Sequence, residues 1–164
     1  MKKNLSVATL LSVIMILVLR WQGSSLVTTT STGGILNLEF ANTPERLAEL
    51  LSRWDITVVK INIWLDFLFI VAYVLFLSVA AEICADKWPE HSVPRQTGYF
   101  FAKLAYLAGM FDVAENLLML QSIQGNYSGT SLQFTFYFAA IKFLLAGIIV
   151  VYLIASLPFI IRKK

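Results

Sequence analysis

Ile61-Asn-Ile-Trp-Leu-Asp-Phe-Leu-Phe-Ile-Val-Ala-Tyr-Val-Leu-Phe-Leu-Ser-Val-Ala-Ala-Glu-Ile-Cys-Ala85 is the segment from which the architecture follows. Apolar side chains fill it almost without a break, and only Asp66 and Glu82 carry charge. A helix over residues 61–85 is long enough to cross a hydrocarbon core of roughly 30 Å. Three further runs read the same way, at about 5–20, 99–121 and 133–161, the last with Pro158 in its final turn. The first is short, covering roughly 24 Å at about 1.5 Å per residue. Arg20-Trp-Gln-Gly-Ser-Ser25 after it lacks a small-residue cleavage site, so a retained helix is expected rather than a removed signal. Trp21, Trp64, Trp88, Tyr99, Tyr127 and Tyr137 fall near run ends, where amphipathic rings prefer to lie. The expected fold is all-α: a polytopic bundle of four transmembrane helices forming one domain over residues 1–164.

Composition agrees. The 164 residues are 58% apolar and only 14% charged, and the mean hydropathy is +0.73. Such a chain cannot cover a water-facing surface. The net charge of +3 is small and its basic residues gather at the ends of the runs, so nucleic acid is not an expected partner; the lipid bilayer is. Cys84 is the single cysteine and His91, in the polar segment 88–94, the single histidine. That inventory predicts no metal site and no cofactor.

Charge predicts the direction of threading. With the N-terminus inside, Lys2, Lys3, Lys87, Arg95, Lys103, Arg162, Lys163 and Lys164 lie on one side. Arg20, Arg46, Arg53 and Lys60 lie on the other, among acidic residues, and segment 121–133 is uncharged. The positive-inside rule then places both termini in the cytoplasm of an inner (plasma) membrane protein. Residues 22–60 become one long outer loop. Within it the Ser/Thr/Gly stretch 23–34 reads as flexible, and the alternation Leu36, Leu38, Phe40 predicts an extended segment. An amphipathic helix follows at about 44–54: Thr43 suits its N-cap, Pro44 its first turn, and Leu47, Leu50, Leu51 and Trp54 share a face. That face needs a lipid interface or the rim of the bundle, as a packing lid or a gate over a ligand entrance.

The candidate site is a set of polar residues within the runs: Asp66, Tyr73, Asp112, Glu115, Asn116 and Lys142. A charge near the bilayer centre costs on the order of 2.5–3.5 kcal/mol, so it faces a partner or water. Counting residues inward from the outer surface brings Asp66, Asp112, Glu115, Asn116 and Lys142 to a common depth in the outer half of the bilayer, and the stripe Asp66, Ile70, Tyr73, Leu77 turns the Tyr73 hydroxyl toward the same interior. Asp112, Glu115 and Asn116 are spaced i, i+3, i+4 and share a helix face, which Ala105, Ala108 and Gly109 continue with small residues. Lys142 is flanked by Ala139 and Ala146, and is expected to pair with Asp112 or Glu115. Three carboxylates against one lysine imply shared protons, a visit by Arg20 or Lys60, or a bound cation.

Residues 36–54, the segment Asn62-Ile-Trp-Leu-Asp-Phe-Leu-Phe69, Tyr73 and Asp112-Val-Ala-Glu-Asn116 together resemble a group of small bacterial four-helix integral membrane proteins. The resemblance implies a bacterial inner membrane and carries no activity across. In layout alone, the chain is similar to bundles of the sterol-isomerase and sigma-2-receptor type, an analogy of fold.

Three function classes follow. A binding module would hold the head of a lipid or cationic amphiphile on the acids. A membrane enzyme acting on a lipid or isoprenoid would use Asp112 or Glu115 as acid or base, with Lys142 tuning them; no nucleophile motif names a catalytic residue. A structural or accessory subunit would use the polar groups to assemble with an unknown membrane partner or as a homodimer.

Overall fold

The computed structural model describes residues 2–162, with the side chains of 4–158. Lys163 and Lys164, and the side chains of Lys2, Lys3 and Arg162, lie outside it, so that part of the charge argument falls outside the described residues. Among the described residues the chain is all-α, with six α-helices and no strand. These are α1 (Lys2–Gln22), α2 (Leu36–Glu39), α3 (Pro44–Leu51), α4 (Ile56–Ala85), α5 (Val93–Ser122) and α6 (Gly129–Arg162), with a 3-10 turn at Ser24–Leu26.

The long helices outrun their apolar runs because capping chemistry lies upstream of them. Asp55 caps α4, its Oδ1 accepting from the Thr57 N–H at 2.7 Å, so the helix starts at Ile56 rather than at 61. Pro94 sits in the first turn of α5, which begins at Val93 rather than 99. Ser128 and Ser131 cap α6 reciprocally: each side-chain oxygen accepts the other's backbone N–H, at 2.8 and 3.1 Å. That sets the start at Gly129 rather than 133.

Three of these helices have stretches long and apolar enough to cross a membrane, by length and composition: Asn4–Gln22, Ile56–Ala85 and Gly129–Pro158. They are compatible with a multi-pass membrane protein. The fourth long helix, α5, carries Lys103, Asp112 and Glu115 and falls outside that group. Large apolar side chains stand in the open along all four, among them Leu17, Leu68, Met110 and Val151. A water-soluble monomer rarely exposes so continuous an apolar surface.

α4 is the central element, packed against α1, α5 and α6, while α5 and α6 pack on each other. α1 leans on α4 and leaves a gap toward α6, lined from both sides. Small residues set the approach of α4 to α5. Ala105 and Ala108 are fully buried, and a Cβ on Gly109 would stand 2.6 Å from Val74 Cγ2. The pin between α1 and α4 is polar: Asn62 Nδ2 donates to the Leu19 carbonyl at 3.2 Å and to Gln22 Oε1 at 2.7 Å.

Segment 23–55 sits over one end of the long helices, called the head end below. Its core gathers Leu26, Leu38, Ala41, Leu47, Leu50 and Trp54 onto Val59, Ile63, Met119, Ile123 and Leu132 of the long helices. Thr43 caps α3, its Oγ1 accepting from the Arg46 N–H at 3.2 Å, and Leu47 and Leu50 point into that core.

Two expectations change here. The Leu36–Phe40 segment is a helical turn, not extended, because its buried residues are Leu38, Glu39 and Ala41 while Leu36 and Phe40 stand exposed. Helical packing of Leu38 and Ala41, three apart, overrides the alternation. The Ser/Thr/Gly stretch, read as flexible, is folded on itself: Ser31 Oγ donates to the Leu26 carbonyl at 2.8 Å, and Trp54 Nε1 donates to Ser31 Oγ at 3.3 Å. Gly34, at φ 58°, turns this stretch into α2 in a region that side chains disfavour.

Candidate functional site

Lys142 is the hub. Its Nζ donates to Asp112 Oδ1 at 2.8 Å, lies 2.9 Å from Glu115 Oε2, and reaches Glu39 Oε2 at 3.2 Å. The Phe143 ring adds a cation–π contact at 5.0 Å. The other oxygen of Asp112 accepts from the Tyr73 hydroxyl at 2.8 Å. Beside this knot, Asn116 Nδ2 donates to Asp66 Oδ2, also at 2.8 Å. Asp112, Glu115, Asn116 and Lys142 are buried, and Glu115 and Asn116 have 0% exposure.

The local folding explains the convergence. On α5 the i, i+3, i+4 spacing turns Asp112, Glu115 and Asn116 to the interior. Ala139 is fully buried one turn before Lys142, so α6 comes close enough for the amine to reach α5. On α4, Asp66 and Tyr73 lie two turns apart on the side facing α1 and α6. Glu39 arrives from the loop: α2 lies over the cluster, held by Phe40, whose ring meets Phe136 edge-on at 5.6 Å and stacks on Phe143 at 6.0 Å.

All six residues singled out from the sequence therefore come together around one interior point, and Lys142 pairs with both Asp112 and Glu115. Glu39 was missed. It joins the set because α2 is helical, and the signal for it was the spacing Ile35, Leu38, Ala41 around a lone acid. Asn62 was missed as well, hidden inside an apolar run. Arg20, considered as a visitor to the cluster, stays exposed, and the cluster's cation is Lys142.

The electrostatics are unbalanced. Four carboxylates (Glu39, Asp66, Asp112 and Glu115) meet one ammonium, so full ionisation would leave three negative charges uncompensated in a low-dielectric site. Burial pushes the Glu39 carboxyl above its ordinary value; Lys142 opposes this and Asp112 reinforces it. Acceptors are also in excess. Glu115 Oε1 and Asn116 Oδ1 are buried and accept no hydrogen bond among the described residues. In a settled interior such atoms are rare.

Two cavities meet at this cluster. One, of about 470 Å³, is a groove between α1 and α6 floored by α4. Val13, Ile16, Phe69, Phe76 and Leu77 wall it, and its polar lining includes Thr9 and Ser12 of α1 besides Glu39, Asp66, Tyr73, Asp112 and Lys142. The other, of about 630 Å³, is a vestibule under segment 23–36 toward the head end, with Arg20, Thr32, Asn62 and Asn116 in its wall. Glu39 and Asp66 line both. Among the described residues no group of three or more His, Cys, Asp or Glu side chains could hold a metal ion, and an ammonium occupies the centre of the cluster instead. No protein-family model, curated protein or solved structure matches the chain.

Proposed function

We propose that this protein is a multi-pass inner-membrane protein of four transmembrane helices that binds a lipid or cationic amphiphile in the groove between α1 and α6. The observation that carries the reading is the groove itself, apolar along its walls and lined by Glu39, Asp66, Asp112 and Lys142 in its polar part. Its volume of about 470 Å³ falls in the range of small-molecule sites, roughly 300–1,000 Å³. Carboxylates in excess of cations favour a positively charged or donor-rich head. The gap between α1 and α6 would open sideways to lipid.

α5 serves as the fourth span in this reading. Its charges at Asp112 and Glu115 face Lys142, while Tyr106, Met110, Val113 and Leu117 turn outward. Both termini lie in the cytoplasm, which sets segment 23–55 on the outer side, with α3 packed as an amphipathic lid on the rim. A fluorescent protein fused to the C-terminus should glow, and alkaline phosphatase fused there should be inactive; the reverse pair of results contradicts this threading.

Dodecylamine, added to detergent-solubilised protein during thermal unfolding, tests the binding. It should raise the midpoint, dodecanol should raise it less, and Asp66→Asn should remove the difference between them. Equal shifts from amine and alcohol in the wild type would sink the cationic reading.

A second reading, an enzyme acting on a lipid, is favoured by one feature. Tyr73, Asp112 and Lys142 form a hydrogen-bonded chain on the groove wall, the kind of arrangement that moves protons. A deletion strain with an unchanged lipid profile would argue against it.

A further inference from the structure

The vestibule has no role in the groove reading, yet the two cavities share Leu19, Ile35, Leu36, Glu39 and Asp66. They differ in character. Away from the Lys142 cluster the groove is walled mainly by hydrocarbon; the vestibule presents Arg20, Ser24, Thr32, Asn62 and Asn116. It also holds an unmet demand. Asn116 is 0% exposed and lines the vestibule, its amide nitrogen is committed to Asp66, and its Oδ1 accepts nothing among the described residues. A buried acceptor without a donor is destabilising, and a ligand donor placed there would relieve it.

The charges of the vestibule are also ordered. Glu39 and Asp66 lie at its junction with the groove, next to where a tail would end. Arg20 also lines this cavity, is exposed, and makes no ion pair among the described residues. A head seated here meets acceptors first and a guanidinium away from them.

We infer that the vestibule is a headgroup subsite for a single-chain amphiphile whose ammonium adjoins the chain and whose anionic group lies beyond it. The ammonium donates to Asp66 and Glu39 at the junction and to Asn116 Oδ1 on the vestibule side of it. The anion lies toward Arg20, whose planar fork suits phosphate. The tail runs along α4 from Asp66 toward Leu77, roughly 16 Å at about 1.5 Å per residue. The inference rests on the groove reading, since a head placed in the vestibule needs a tail in the groove.

Three probes separate the two claims, with Kd measured in maltoside micelles. Sphingosine has the chain and the adjoining amine; sphingosine 1-phosphate adds a phosphate beyond the amine; an 18-carbon lysophosphatidylethanolamine reverses the order of the charges. The wild type should bind sphingosine 1-phosphate about tenfold more tightly than sphingosine, a difference of about 1.4 kcal/mol. Arg20→Gln should bring the two to the same Kd and leave that of sphingosine unchanged. Lysophosphatidylethanolamine should bind more weakly than sphingosine 1-phosphate. Equal binding of the phosphate and its parent amine by the wild type overturns the subsite while leaving the groove standing. An advantage that survives Arg20→Gln, or equal binding of the reversed head, overturns the charge order. If neither amine binds, the groove reading itself falls.

Discussion

At the end away from segment 23–55, α4, α5 and α6 meet through alanine, glycine, aliphatic and aromatic side chains; at the head end the same three helices are joined by charge. In the first region Ala81, Ala105, Ala108 and Ile149 are fully buried, and Leu77 packs among them. Two tyrosines add hydrogen bonds there, the Tyr152 hydroxyl donating to the Pro94 carbonyl at 3.2 Å and the Tyr99 hydroxyl to Asp86 Oδ1 at 2.6 Å. In the second region one lysine holds three carboxylates, two cavities adjoin, and Glu115 Oε1 and Asn116 Oδ1 find no donor among the described residues. Close packing by small residues is how helices associate where lipid removes the hydrophobic drive, and it suffices to hold a bundle. A region maintained only for cohesion would look like the first. The second keeps expensive buried charges beside its cavities, which is the pattern of a site.

The difference can be tested by breaking each region in turn. Lys142→Met should have the largest effect, because it strands Asp112, Glu115 and Glu39 without their cation. Removing one partner of a buried ion pair costs about 3–5 kcal/mol, so folded yield and thermal midpoint in detergent should both collapse. A variant as stable as the wild type would show that the cluster is not ion-paired.

Gly109→Ala probes the packed region and should cost about 1–3 kcal/mol, since the new methyl would press on Val74. Adding Val74→Ala should restore much of that loss, and thermal unfolding of the four-member cycle measures the coupling. Independent, additive losses would mean that α4 and α5 do not meet at Gly109.

Asn62→Leu tests the polar pin of α1. Interhelical hydrogen bonds in membranes average about 0.6 kcal/mol and reach about 1.7, so a loss in that range is expected. Because α1 forms one wall of the groove, the same variant should weaken amphiphile binding more than its stability loss suggests.

The smallest effect is on pH dependence. Glu39 has a folded pKa above its ordinary value of 4.5, so the folded state holds its proton more tightly than the unfolded state does. The stabilisation this brings is complete below pH 4.5 and is lost as pH rises through the folded value. Glu39→Gln carries no such loss. The two proteins should match in acid, and the variant should gain at higher pH by about 2–4 °C, the size of a 1 kcal/mol effect in a chain of this length. A difference that is constant with pH, or grows in acid, would contradict the burial of Glu39.

The apolar runs made the long helices legible because continuous hydrocarbon over more than 20 residues has few other readings. Their starts were not legible. Asp55, Pro94 and the Ser128–Ser131 pair lie in polar segments whose local bonds extend each helix beyond its run. The convergence of Asp66, Tyr73, Asp112, Glu115, Asn116 and Lys142 could be read from depth and helical phase, since both are fixed by 1.5 Å and 100° per residue. Glu39 could not be found that way. Its position depends on how a loop folds over the helices, and alternating Leu36, Leu38 and Phe40 point to a strand until tertiary packing decides otherwise. The cavities were out of reach for the same reason: they are set by where α1 leans, which no residue count gives.

Whether the groove holds an amphiphile is settled by native mass spectrometry of gently extracted protein, comparing the wild type with Asp66→Asn. Asp66 lines both cavities but bonds only Asn116 among the described residues, so its replacement leaves the Lys142 cluster in place. The wild type should carry a discrete amphiphile mass that the folded variant lacks. A bare wild type would return the cluster to a structural role, and the same adduct at the same occupancy on both proteins would mean that Asp66 does not hold the amphiphile.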